Sequence, residues 1–181
     1  MRKELSKAVR TEFTAAMARR LPQFTPVTIK SRYAWPGSRI FRWVSDPSLH
    51  FFVELFFDPK GDDSFGVEVG WSRLGRYPEL PARPGIRDDG SKVEHWVRLS
   101  FLESNIGGMW SLEDPDGSPG ASGRGMAISS RLLAGLPPLP VEQALQRVGP
   151  RVTDAVEKLI NYALPYFEQV SRKKSSQEGG S

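Results

Sequence analysis

Glu54 and Glu68 are the pair of residues in this chain whose type and spacing could do chemistry. Glu54 lies in the run LHFFVELFF (residues 49–57), and Glu68 in the run FGVEVGW (residues 65–71). Between them is Asp58-Pro59-Lys60-Gly61-Asp62-Asp63, which is turn chemistry. Both runs alternate apolar and polar residues, so they form the two arms of a β-hairpin with one buried face. Setting Leu55 opposite Val67 matches the apolar set: Val53 with Val69, Phe57 with Phe65, Phe51 with Trp71. A slip of one residue would turn every apolar side chain outward. The same register places Glu54 opposite Glu68 on the outer face. Two facing carboxylates can share a proton, act as an acid and base pair, or hold a metal.

The alternative for such a pair is a charge ladder. With Arg42 beside Glu54 and Arg98 near Glu68, the row reads Arg-Glu-Glu-Arg, which contributes little stability if it is exposed. The two histidines, His50 and His95, have no metal-type spacing partner, and cysteine is absent. Gly120-Ala121-Ser122-Gly123-Arg124-Gly125 lacks the Gly-Lys-Ser/Thr ending of a phosphate loop. Asp114-Pro115-Asp116-Gly117 opens like a calcium loop, but Gly125 stands where its last carboxylate belongs. No Gly-x-Ser-x-Gly elbow is present. The sequence therefore assigns no catalytic residue, metal or cofactor.

The elements that would position these residues can be read from periodicity. Residues 3–20 form an amphipathic helix, with Leu5, Val9, Phe13 and Met17 on one face and Lys3, Lys7 and Arg10 on another. Leu21-Pro22 ends it. Residues 26–34 read as a first strand, with Val27, Ile29 and Tyr33 on one side. Trp35-Pro36-Gly37-Ser38 is a type II turn, and residues 39–45 are a second strand. The hairpin supplies the third and fourth strands. Residues 93–102 read as a fifth, with Val97, Leu99 and Phe101 inward, and a short strand is expected near residues 109–112. Residues 126–134 suggest a short helix. The last third steps by three or four from Val141 through Leu145, Val148, Val152, Val156, Leu159, Ala163 and Phe167 to Val170, which is helical. A break is expected at Gly149-Pro150 and a kink at Pro165. The order predicts an α+β fold: an N-terminal helix, a five-stranded, mostly antiparallel sheet, and C-terminal helices packed on one face. One domain spans residues 1–171, and residues 172–181 read as a disordered polar tail.

Composition narrows the class. The chain has 181 residues, a net charge of +4 and 39% hydrophobic residues, enough for one sizeable core. A mildly basic balance favours anionic partners without requiring them. No apolar run is long enough to span a membrane and no leader pattern opens the chain, so a cytoplasmic protein is expected. The outer sheet face carries more apolar surface than a solvated face should, with Ile40, Val44, Phe52, Phe56 and Trp96 all on that parity. Either the loop at 72–92 or the one at 103–125 covers it, or a partner does.

The order of elements is similar to that of small bacterial accessory and immunity-type proteins, an analogy of fold alone. The reading is a non-enzymatic interaction domain that binds another protein. Its contact surface would be Arg42, Phe52, Phe56, Trp96 and Arg98, together with Arg76, Arg83 and Arg87 of the Arg-rich loop. One alternative is nucleic-acid binding through Lys3, Lys7, Arg10, Lys30, Arg32 and that loop. The other is an enzyme built on Glu54 and Glu68.

Overall fold

The computed structural model describes residues 1–80, 88, 90–104, 108–112 and 138–178. Arg83 and Arg87, the segments 114–117 and 120–125 and the helix expected over 126–134 lie outside them. Helix α1 (Lys3–Arg20) is followed by strands β1 (Thr25–Val27), β2 (Arg39–Asp46), β3 (Leu49–Phe57), β4 (Ser64–Ser72) and β5 (Glu94–Arg98). Helix α2 (Leu99–Ser104), the short strand β6 (Trp110–Ser111), helix α3 (Val141–Lys158), a π-helical turn (Leu159–Ala163) and helix α4 (Leu164–Glu178) complete the order. The strands lie in that sequence, β1 to β5, every neighbour antiparallel, and β6 pairs with β4 beyond the end of β5. The fold is α+β, with the N-terminal and C-terminal helices on one face of the sheet.

The hairpin register is the one its apolar pattern demands: Leu55 opposite Val67, Val53 opposite Val69, Phe51 opposite Trp71. These side chains meet Leu5, Val9, Phe13 and Met17 of α1 and Val148, Val152 and Val156 of α3, all essentially sealed from solvent. The sheet is fastened to α4 by Phe51 stacking on Phe167, ring centres 4.5 Å apart, and by the Trp71 indole N–H donating to the Tyr166 hydroxyl at 3.0 Å. That hydrogen bond lets two large polar-tipped aromatics be buried without orphaning either tip.

The hairpin turn also holds α1. No side chain caps the helix from its own N-cap position, Arg2. Asp63, buried at the end of the turn, takes that role from across the molecule. Its carboxylate accepts the Arg2 backbone N–H at 2.8 Å and the Arg2 Nε–H at 2.6 Å. A carboxylate there also suits the positive end of the helix dipole. Asp63→Ala is expected to cost about 1.5–2 kcal/mol, the range for losing a helix cap and a charged hydrogen bond. Urea denaturation of the variant checks it.

Six sequence expectations differ from the structure, the first four for a local reason. The first strand ends at Val27 instead of residue 34, because Ile29, Tyr33 and Ala34 leave the sheet plane and pack over its outer face. The fifth strand ends at Arg98, and Leu99–Ser104 is helical. Leu99 is buried in both readings, since a short apolar run does not distinguish the two periods. Helix α3 runs unbroken through Pro150, whose ring faces solvent, while Val148 and Val152 on either side are buried. An internal proline costs about 3 kcal/mol in a free helix, and burial of the flanking stripe outweighs it. The kink expected at Pro165 is a π-helical turn just before it, where the Leu164 N–H reaches the Leu159 carbonyl. That turn puts Pro165 in the first turn of α4, where no N–H is needed. Helix α4 extends to Glu178, past Arg172, where a disordered tail was expected to begin. Val141 and Leu145, read as part of the buried stripe, are exposed.

Candidate functional site

The outer face of the sheet carries a second, smaller core. Ile40, Phe52, Tyr77 and Trp96 are buried together, with Val27, Ile29, Tyr33, Ala34 and Leu80 packed against them. Two glycines of β4 make this possible. A Cβ at Gly66 would stand 2.3 Å from the Phe56 ring, and one at Gly70 would stand 2.4 Å from the Trp96 ring. The two aromatic rings therefore lie flat across β4 in the slots that the glycines leave. Trp35 stacks on Phe56 with ring centres 5.1 Å apart, and Tyr77 closes over Phe52 and Trp96 at 5.5 and 5.3 Å.

Glu54 and Glu68 face each other beneath this cover, as the register predicts, and neither is accessible to solvent. Like charges so placed are destabilising unless compensated. The compensation is specific. Glu54 accepts the Trp35 backbone N–H at 2.8 Å on Oε1 and the Tyr77 hydroxyl at 2.9 Å on Oε2. Glu68 accepts the Trp35 indole N–H at 3.2 Å on Oε2, and its Oε1 lies 3.7 Å from Arg98. Arg98 also sits over the Phe56 ring. Trp35 thus bridges both carboxylates, one with its backbone and one with its ring. Through these hydrogen bonds the pair serves as a latch that ties residues 35 and 77 to the sheet. All four carboxylate oxygens are engaged, and none is offered to a substrate.

The row is not Arg-Glu-Glu-Arg. Glu54 lies opposite Ile40, and Arg42 lies opposite Phe52. Arg98 does pair with Glu68. The expected contact surface is also corrected: Phe52, Phe56 and Trp96 are buried under residues 28–38 and 73–80 of the same chain and cannot touch a partner. Arg42 and Arg98 are half-buried, and Arg76 is exposed. Arg76 pairs with Glu79 at 3.1 Å and with Glu94 at 3.7 Å. On α1, Lys3 and Lys7 are exposed. Arg10 turns inward, over the Phe57 ring and onto the Gly37 carbonyl.

A shallow open groove remains where the two covering segments meet. Ile29, Lys30, Ser31, Arg32 and Tyr33 line one side of it, and Arg76, Tyr77 and Glu79 line the other. Arg32 lies over the Tyr33 ring and donates to its hydroxyl at 2.7 Å, which holds both in place. Sequence reasoning named the loop at 72–92 as a possible cover, and Tyr77 of that loop is one; it missed Trp35. The signal was Gly66 and Gly70, two absent side chains at outward parity beside large aromatics.

A third cluster joins α3 to β6. The Trp110 indole donates to Asp154 at 2.7 Å, and the Lys158 ammonium lies 2.7 Å from Glu103 and 3.6 Å from Asp154. The hydrogen bond to Glu103 chiefly raises the Lys158 pKa against a smaller opposing effect of burial. That amine stays protonated and is no nucleophile. Among the described residues, no group of three or more His, Asp or Glu side chains is placed to hold a metal ion, and no helix is long and apolar enough to cross a membrane. No family model, no curated protein and no solved structure matches the chain.

Proposed function

We propose that the chain is a non-catalytic domain that binds another protein through the groove between residues 29–33 and 76–79. The observation that carries this reading is the lining of that groove: Lys30, Arg32 and Arg76 rise beside Ile29 and Tyr33, on loops latched to a rigid sheet. Arginine and tyrosine are the side chains that most often dominate interface energies. The charge there is mixed, because Glu79 lines the same groove and pairs with Arg76. A mixed rim suits a partner protein with an acidic segment better than the uniform charge of a phosphodiester backbone. The enzyme reading loses its motive once every oxygen of Glu54 and Glu68 has a partner.

The test compares the wild-type chain with the double variant Lys30→Glu, Arg32→Glu, both exposed positions; the change removes the local Arg32–Tyr33 contact and leaves the two cores untouched. Affinity capture from native lysate should retain a protein that the variant binds roughly tenfold or more weakly. The same pair is tested against single- and double-stranded nucleic-acid probes across a salt series. Steep salt-dependent probe binding, with no protein separating wild type from variant, would replace this reading with the nucleic-acid one.

A further inference from the structure

Strands β2 and β3 bring two residues with buried, unpartnered polar atoms onto the same face near their shared turn. Arg42 lies opposite Phe52 and Val44 opposite His50, so Arg42 and His50 are diagonal neighbours on the outer face. His50 is only 8% exposed, and its Nδ1 has no hydrogen-bond partner among the described residues; nor does the buried Nε of Arg42. Buried polar atoms without partners are uncommon, and each calls for an explanation. The surroundings are built from backbone and ring. A Cβ at Gly75 would stand 3.5 Å from the Pro47 carbonyl and 4.0 Å from the His50 ring, and Phe52 lies against the imidazole at 6.3 Å. At the rim, Val44 is half exposed.

We infer that Arg42 and His50 form a binding site for a small oxyanion, a carboxylate or a phosphate group, distinct from the Lys30–Arg32 groove. Arg42 donates Nε–H to one oxygen of the anion. His50 donates Nδ1–H to another, after taking one proton from solvent. Without the anion that proton is disfavoured: burial first, then the neighbouring Arg42, holds the His50 pKa below its ordinary 6.5. The Pro47 carbonyl and Asp46 pull weakly the other way. Asp46 is engaged by the Ser48 N–H, the Ser48 hydroxyl and the Leu49 N–H. Ser72, opposite His50 on β4, accepts the Leu74 N–H. Glu94, next in that row on β5, is turned to Arg76 and to the Glu79 backbone. The anion supplies the negative charge that makes the imidazolium acceptable, so binding and protonation are coupled.

The experiment titrates the full chain with inorganic phosphate and, separately, with acetate, at about pH 6 and about pH 8, reading the imidazole nitrogens of both histidines by NMR. A saturable change at His50 and none at His95 is expected, with the affinity for acetate, whose charge is the same at both pH values, rising toward acid by up to about tenfold per pH unit. Preference for phosphate or for acetate distinguishes a phosphoryl ligand from a carboxylate one. Arg42→Gln should abolish the change. His50→Gln should keep weak binding and lose the pH dependence of acetate binding, and Lys30→Glu, Arg32→Glu should bind both anions as the wild type does. No saturable change at His50 with either anion, or a change equal at His50 and His95, would overturn the site and leave a bound water as the partner of Nδ1. Should Arg42→Gln fail to fold, the wild-type comparison of the two histidines still decides.

Discussion

Gly70→Ala is expected to destabilise the protein by about 3 kcal/mol or more, the upper range for overpacking a buried site. The added Cβ would meet the Trp96 ring at 2.4 Å and the His95 backbone carbonyl at 2.7 Å. A flexible side chain could swing aside, but Trp96 is fully buried under Tyr77, and the carbonyl belongs to the neighbouring strand. The methyl group therefore has to push β5 away from β4 or expel the indole. Gly66→Ala should be milder, because its obstacle is the Phe56 ring alone, without backbone. Urea denaturation of both variants tests the ordering. Equal stability of Gly70→Ala and wild type would mean that Trp96 does not lie across β4.

Glu54→Ala is the second large effect. It strands the Trp35 backbone N–H and the Tyr77 hydroxyl in a dry site, at about 1–3 kcal/mol for each unmet donor. It also frees the two segments that cover the outer face. A loss of about 2–6 kcal/mol is expected, with faster proteolysis within residues 28–38 and 73–80. Glu54→Gln is the informative companion. The amide keeps an acceptor for one donor, and it removes the like charge facing Glu68. Its cost should be well below that of the alanine variant. If Gln were as damaging as Ala, the latch would need the charge of Glu54, and the hydrogen-bond account would be wrong.

Which parts of this could be read from residue order follows from the range of each interaction. The α+β class, the helix over residues 3–20 and the hairpin register rest on local periodicity, and periodicity is printed in the chain. The facing of Glu54 and Glu68 comes directly from that register. The type II turn at Trp35-Pro36-Gly37-Ser38 was equally legible, because Gly37 takes a positive φ that few other residues accept. Errors arose where two local preferences are nearly equal. Leu99–Ser104 reads as strand or helix. Pro150 breaks a helix unless something packs hard on both sides of it.

Tertiary structure decided what covers the outer face. Nothing local links Trp35 or Tyr77 to strand β3, because the contacts join residues 19 and 23 positions apart in the chain. Parity places Phe52, Phe56 and Trp96 outward, but outward from a sheet is not the same as exposed. Burial depends on which distant segment folds over them, and that choice is made by a buried carboxylate collecting an N–H from one loop and a hydroxyl from another. The sequence by itself determined that Glu54 and Glu68 meet. Only the packing of the two loops decided that the pair would be sealed and fully engaged, a latch instead of a reactive centre.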